Sequence, residues 1–414
     1  MAAAGLGAAI PALTRSPDWL ADELRVGCWV WLLTLVWLPL TPFRALAEAG
    51  QRGYLISLLL LAQAVTTAGA ALAFAALGWG LVGQFLAVVL GTAPFYLGLV
   101  WDGARRYPEV WAGSGRPAGD TGRALWALSW PTLLTNLSGR LSLMTDNIMV
   151  SLFLGPAAVT PFYLTQRLIV LAGTQVLALG SASWAGLADL HFRGEREVFA
   201  RRLAQLTGLT VAVGSSLCVP LAVWNRPLVG LWVGGDLYAG DWVTWLGAAN
   251  AVALGVTALW GWPLHATGLV RAVLPGAVAG TAVNVAVSAI ATAVVGLPGP
   301  LIGTLVAVTA VHGWWALYLL RRHFGVRPRV LLAAVGRPLA VALPYTAGLL
   351  LLADAVPAYD PAWPRVAALL AVGGWVAAAA AGYLVLAGFL AFPAPDRAEW
   401  VGRLRGRARR PAAS

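Results

Sequence analysis

Apolar residues run in long stretches along this chain, and polar residues gather in the short gaps between them. A helix needs about 20 mostly apolar residues to cross a bilayer core. Eleven stretches qualify, near Val26–Leu46, Tyr54–Ala76, Leu81–Trp101, Leu125–Leu152, Val159–Leu179, Leu203–Val223, Val243–Leu264, Ala272–Val295, Leu301–Leu320, Leu331–Leu352 and Val366–Leu390. The first is atypical, because Pro39, Pro42, Arg44 and Glu48 fall in its second half. Those prolines predict a kink or an end near the interface. Arg44 and Glu48 stand four apart, the spacing of a helical ion pair.

Composition agrees with a polytopic all-α membrane protein. Of 414 residues, 59% are hydrophobic and 11% charged, and mean hydropathy is +0.76. A soluble globular chain carries roughly 25% charged residues, so this one lacks the charge to cover a wet surface. Disorder, a collagen repeat and a disulfide scaffold are excluded as well. Cys28 and Cys218 sit in apolar surroundings and say little about redox compartment. No Walker motif, HExxH or GxSxG stands in a usable context, and the His and Cys are too scattered for a metal site.

The charge pattern sets an orientation. Net charge is +11, and all 28 basic residues are Arg. The gaps Leu77–Gly80, Gly155–Ala158 and Gly296–Pro300 carry none. The alternate gaps hold Arg105, Arg106, Arg116 and Arg123, then Arg193, Arg196, Arg201 and Arg202, then Arg321, Arg322, Arg327 and Arg329. More Arg follow Pro393. Positive loops face the cytoplasm, which puts the C-terminus inside and, with eleven spans, the N-terminus of this chain outside. The expected location is the bacterial inner (plasma) membrane.

Two segments repeat at an offset of 220: Gly80-Leu81-Val82-Gly83-Gln84 and Pro300-Leu301-Ile302-Gly303-Thr304. Each follows an uncharged turn and leads to a span ending in paired Arg. Internal duplication is common in transporters. Extrapolated by the same offset, the earlier copy begins about 95 residues before Met1. The expectation is a chain lacking the first three of fourteen spans. The expected layout is a partial N-terminal lobe of three spans (1–123), a six-span C-terminal lobe (124–330), two additional spans (331–392) and a basic cytoplasmic tail (393–414).

The polar heart is Thr135-Asn136-Leu137-Ser138-Gly139-Arg140, continuing to Asp146-Asn147. At 1.5 Å per residue, Arg140 lies about 22 Å before the Gly155-Pro156 turn, Asp146 about 13 Å before it, and Arg167 about 18 Å after it. An Arg in hydrocarbon costs about 2.5 to 3.5 kcal/mol and should face a cavity or a partner. Arg140 and Arg167 therefore read as ligands for an anionic group, with Arg167 equally readable as a structural partner of Asp146. Asp146 is a pairing residue or a proton or cation coupling site. Asn136 and Gln166 are further cavity candidates, or they bond other helices. Arg52 and Arg271 occupy matching places in the repeat. They read as headgroup anchors or as phosphate recruiters at a cavity mouth. The stretch Asn225–Gly240 reads as a short amphipathic element on the outer face.

A resemblance accompanies these residues. The runs Asn136-Leu137-Ser138-Gly139-Arg140, Thr145-Asp146, Phe153-Leu154-Gly155-Pro156-Ala157-Ala158-Val159 and Leu164-Thr165-Gln166-Arg167 resemble bacterial polysaccharide-biosynthesis membrane proteins. So do Gln51-Arg52-Gly53-Tyr54 and Asn225-Arg226 through Leu231-Trp232-Val233-Gly234. These are O-antigen and exopolysaccharide flippases of the multidrug/oligosaccharidyl-lipid/polysaccharide exporter superfamily. The resemblance implies a MATE-like, V-shaped pair of helical lobes around a central cavity, with an extra C-terminal helix pair that forms a lipid-side groove in relatives. It implies translocation of undecaprenyl-pyrophosphate-linked oligosaccharide by alternating access, without an enzymatic step or cofactor. It implies as partners the lipid-linked glycan, membrane lipids, and glycan polymerase and glycosyltransferases, with no nucleic acid. The alternatives are a cation-coupled multidrug exporter of the same fold and a truncated, non-transporting membrane protein.

Overall fold

The computed structural model describes residues 18–50, 52–108, 119–355, 362–394 and 397. Arg15, Gln51, Arg116 and most of the arginine tail lie outside the described residues. Every regular element among the described residues is helical. The chain divides into two compact units, residues 1–122 and 123–414.

The first unit comprises α1 (Asp18–Leu32), a 3-10 stretch (Leu33–Leu40), α2 (Thr41–Ala49), α3 (Gly53–Ala76) and α4 (Gly80–Arg106). The break expected near the prolines takes the form of that 3-10 stretch. Pro39 lies inside it, and Pro42 falls in the first turn of α2, where a missing N–H is harmless. Arg44 Nε donates to Glu48 Oε1 at 2.8 Å, the pair that the spacing predicts. Helix α4 is the hub on which α1, α2 and α3 pack, around Ala47, Ile56, Phe95 and Leu99. The Glu23 carboxylate accepts from the Leu81 N–H at 3.1 Å, placing negative charge on the positive end of α4.

The second unit comprises α5 (Gly119–Leu154), α6 (Val159–Phe192), α7 (Arg196–Trp232), α8 (Asp241–Ala266), α9 (Val270–Val295) and α10 (Gly299–Val306). A π-helical stretch, Ala307–Gly313, joins α10 to α11 (Trp314–Phe324), and α12 (Pro328–Ala355) and α13 (Arg365–Leu390) follow. Helix α7 is the most buried span, and α6, α8, α12 and α13 pack around it.

Ten described helical stretches are long and apolar enough to cross a membrane. The other expected span is α5, which is continuous over 36 residues but is not among the ten. Its polar residues, Asn136 to Asn147, account for the difference. At about 54 Å it is also much longer than a ~30 Å hydrocarbon core. The separate amphipathic element expected from Asn225 onward does not form. Helix α7 instead continues through Pro227 to Trp232, because Leu228 packs with Trp224 in a buried cluster and Val229 is fully enclosed.

The repeat is visible as two tight hairpins, α3–α4 and α9–α10, each closed by an uncharged turn. Gly83 and Gly303 occupy matching positions. A side chain at Gly83 would overlap Phe74 and Trp79, and one at Gly303 would overlap the backbone of Ser288.

Candidate functional site

Helices α5 and α9 run parallel in a fixed register. The Thr281 hydroxyl donates to the Ser138 carbonyl at 3.0 Å, and the Asn284 amide donates to Ser142 Oγ at 2.5 Å. Near the start of both helices, Arg271 Nη2 donates to the Ala127 carbonyl at 3.1 Å. That carbonyl lacks its helical donor, because the residue four positions on is Pro131. The sequence separation stays at 142 to 144 along the whole contact. The buried face of α9 packs instead on the α10–α11 side, with Gly276 against Trp315 and Gly280 against His312. Gly276, Gly280, Asn284, Ser288 and Thr292 recur every four residues, and all are buried.

Asp146 stands at one end of a hydrogen-bonded chain of polar groups on α9 and α10. Thr304 Oγ1 donates to Asp146 Oδ1 at 3.3 Å and lies 3.4 Å from Asn284 Oδ1. The Ser288 hydroxyl lies 2.9 Å from Asn284 Oδ1 and 3.2 Å from the Pro300 carbonyl. Asn284, Ser288 and Thr304 are all buried. The absent side chain at Gly303 lets α10 approach Ser288 this closely. The five groups are the Asp146 carboxylate, the Asn284 amide oxygen, two hydroxyls and a main-chain carbonyl. Thr304 alone of these groups bonds the carboxylate directly, and the others are linked to it through Asn284 Oδ1. Among the described residues no three His, Cys, Asp or Glu gather as a metal cluster.

Arg140 lies two residues from both Ser138 and Ser142, about 200° around the helix from the α9 contact. Asn136 and Asn147 share its face, and all three are exposed. Among the described residues Arg140 has no hydrogen bond or ion pair. Arg167 is also exposed. Its Nη1 donates to the Tyr163 hydroxyl at 2.9 Å, with the guanidinium carbon 5.7 Å from that ring's centre. The alternative Arg167–Asp146 pair is therefore not formed. Arg167 binds one turn back on its own helix, and Asp146 turns toward α10.

The other sequence-selected residues hold structural contacts. Gln166 is buried, and its amide donates to the Val243 carbonyl at 2.5 Å, fixing α6 on α8. Arg52 pairs with Asp102 across the first unit and donates to the Tyr54 hydroxyl at 2.8 Å. The hydrogen bond to Asp102, more than any other contact, raises the Arg52 pKa above its ordinary value. Arg271 spans the open carbonyl of Ala127. The stretch after α7 is knitted in place as well. Buried Asn225 donates to the Thr165 carbonyl and to Thr244, both at 2.9 Å. The Tyr238 hydroxyl donates to Asp241 at 2.7 Å, and burial pushes the Tyr238 pKa up to about 12.

Asn284, Ser288 and Thr304 escaped the reading of the sequence. Their signal is the four-residue recurrence of small and polar residues along α9. A second feature lies elsewhere in this unit. An apolar groove of about 620 Å³ runs between α8, the π-helical stretch, α11 and α12, with Cys218 and Val219 of α7 on its floor.

The architecture is an all-α, multi-spanning membrane helical bundle that resembles the MurJ fold. No family model matches the sequence, and neither does any curated protein. Among solved structures, the chain is similar to the lipid II flippase MurJ in an inward closed conformation, with a TM-score of 0.55 and 11% sequence identity. The match covers 88% of this chain and 72% of that one.

Proposed function

We propose that this protein translocates a polyprenyl-pyrophosphate-linked oligosaccharide across the bacterial plasma membrane. The observation that carries the reading is Arg140, an exposed guanidinium at mid-span without a protein partner among the described residues. A charge at that depth is too costly to face acyl chains, so the Asn136–Arg140–Asn147 face lines a polar path. An anionic pyrophosphate is the natural complement of Arg140. Arg167 supplies a second guanidinium from α6, held by Tyr163. The apolar groove along α12 suits the polyprenyl chain. The similarity to a lipid II flippase agrees with a lipid-linked substrate, and the resemblance to O-antigen and exopolysaccharide flippases narrows it to undecaprenyl-pyrophosphate glycans.

The Asp146 cluster is the coupling element in this reading. A proton or monovalent cation that binds Asp146 competes with the Thr304 hydroxyl that ties α5 to α10, and the exchange biases the alternating-access cycle. Arg52 and Arg271 serve chiefly to hold helix ends. The exporter alternative predicts binding of lipophilic cations, which an unpaired Arg140 repels.

The test is binding of radiolabelled undecaprenyl pyrophosphate to the purified chain. Arg140→Ala is expected to weaken binding about tenfold, the value of one lost charge-assisted contact, and Arg140→Lys less. Unchanged binding in Arg140→Ala, with the melting temperature preserved, contradicts the proposal.

A further inference from the structure

A second pocket, of about 540 Å³, shares no lining residue with the Asp146 cluster. Its walls are the first turns of α7, the first turns of α12, and the chain just after α13. On α7, Arg201 and Gly208 lie seven residues apart, and on α12 Val330 and Arg337 do the same. That is the spacing of a single helix face. Arg201, Arg329 and Arg337 line the pocket, and no acidic residue does so among the described residues. None of the three guanidiniums has a hydrogen bond or ion pair among the described residues.

The floor is apolar and firmly built. Phe392 packs against Gly208, 3.1 Å from where a side chain would begin, and the Ala334 carbonyl lies 3.5 Å from that point. The Tyr383 hydroxyl donates to the Pro338 carbonyl at 2.9 Å, fixing α13 to α12. Below lies a closed cluster of Ala212, Ala342, Tyr383, Ala387, Ala391 and Phe392.

We infer that this pocket binds an anionic phospholipid, with the phosphate among Arg201, Arg329 and Arg337 and one acyl chain over Gly208, Ala333 and Phe392. Two helices begin here: the first turn of α7 carries Glu197, whereas that of α12 carries no acidic residue, and positive charge at such a start is unfavourable by itself. No acidic residue lines the pocket among the described residues, and an anion from outside complements the three guanidiniums. Basic pockets between spans take anionic headgroups in this way. Arg329 and Arg337 are eight residues apart, about 12 Å along the helix. That depth runs from the headgroup layer to the first acyl carbons, within the reach of snorkelling arginines. The volume is also about eighteen times the ~30 Å³ share of one water molecule. A free phosphate leaves most of it empty, and a phosphoglycerol with the start of a chain fills it. The inference does not depend on what the protein transports.

Native mass spectrometry of the full-length chain in detergent, titrated with phosphatidylglycerol or phosphatidylcholine of matched chains, tests this. Phosphatidylglycerol should be retained about tenfold more strongly, and the triple exchange Arg201→Gln, Arg329→Gln, Arg337→Gln should abolish the preference. Ala333→Phe fills an exposed lining position without changing charge and should lower retention as well. The control exchange Arg321→Gln, Arg322→Gln, Arg327→Gln removes equal charge outside the pocket and should change retention less than about twofold. An equal loss in the control overturns the site in favour of diffuse attraction. Full retention in Ala333→Phe, with displacement by inorganic phosphate, overturns the lipid in favour of a soluble anion. If the triple exchange unfolds the chain, Arg201→Gln and Ala333→Phe, taken singly, decide by the same ratio.

Discussion

Asp146 and Arg140 stand six residues apart on α5 and meet opposite environments. Asp146 faces Thr304 and the α9 oxygens, whereas Arg140 faces away from them. Both stood out in the sequence, since a charge within an apolar run carries its own signal. Asn284, Ser288 and Thr304 did not, because small polar residues are common in membrane helices. The α9–α10 hairpin collects them, and Thr304 then meets Asp146 of α5. Gln166 shows the converse. Its neighbour Arg167 is exposed, but one residue is 100° of helix, and Gln166 points at Val243. Asp146→Asn should leave folding intact and remove the dependence of transport on an imposed proton or sodium gradient, the ratio with and without gradient falling to about one. A ratio equal to that of the wild type removes Asp146 from coupling. Tyr238 gives a pH prediction. Its folded pKa of about 12 exceeds the ordinary 10, so its contribution is complete below pH 10 and is lost between pH 10 and 12. Melting curves of Tyr238→Phe should lack that part of the alkaline decline.

At the scale of elements, close helix approach carries much of the argument. The α9–α10 hairpin brings the Pro300 carbonyl and Thr304 to Ser288 only because position 303 has no side chain. Gly303→Ala should cost about 1 to 3 kcal/mol through overpacking. Gly261, in α8, has no atom within 4 Å of such a side chain. Gly261→Ala should therefore be neutral or stabilising by up to about 1 kcal/mol. Thermal unfolding in detergent separates the two, and equal melting temperatures contradict the packing described. The spans themselves were plain in the sequence, since hydrocarbon thickness dictates their length. The course of α7 past Pro227 was not. A proline reads as punctuation, yet burial of Leu228 and Val229 carries the helix beyond it. The four-residue stripe of α9 was present in the sequence but lacked a partner helix to give it meaning.

At the scale of the molecule, two helical units carry different polar equipment. The first is held by Glu23 at the start of α4 and by Arg52 with Asp102. The second contains the Asp146 cluster, the Arg140 face, the apolar groove and the arginine-lined pocket. The internal repeat relates the α3–α4 and α9–α10 hairpins, but the matching positions have diverged. Gln84 donates to the Ala71 carbonyl within its own hairpin, whereas Thr304 reaches a carboxylate on another helix. Such divergence suits a transporter with its coupling site in one unit. The central claim is lipid-linked glycan translocation, and its most direct test is a flip assay in proteoliposomes. A fluorescent undecaprenyl-pyrophosphate oligosaccharide is placed in both leaflets, and the fraction accessible to an external reductant is followed under an imposed ion gradient. The account predicts gradient-dependent redistribution by the wild-type chain and at least a tenfold slower rate in Arg140→Ala, about 1.4 kcal/mol of lost stabilisation. The same redistribution in protein-free vesicles, or an unaltered rate in Arg140→Ala, would contradict it.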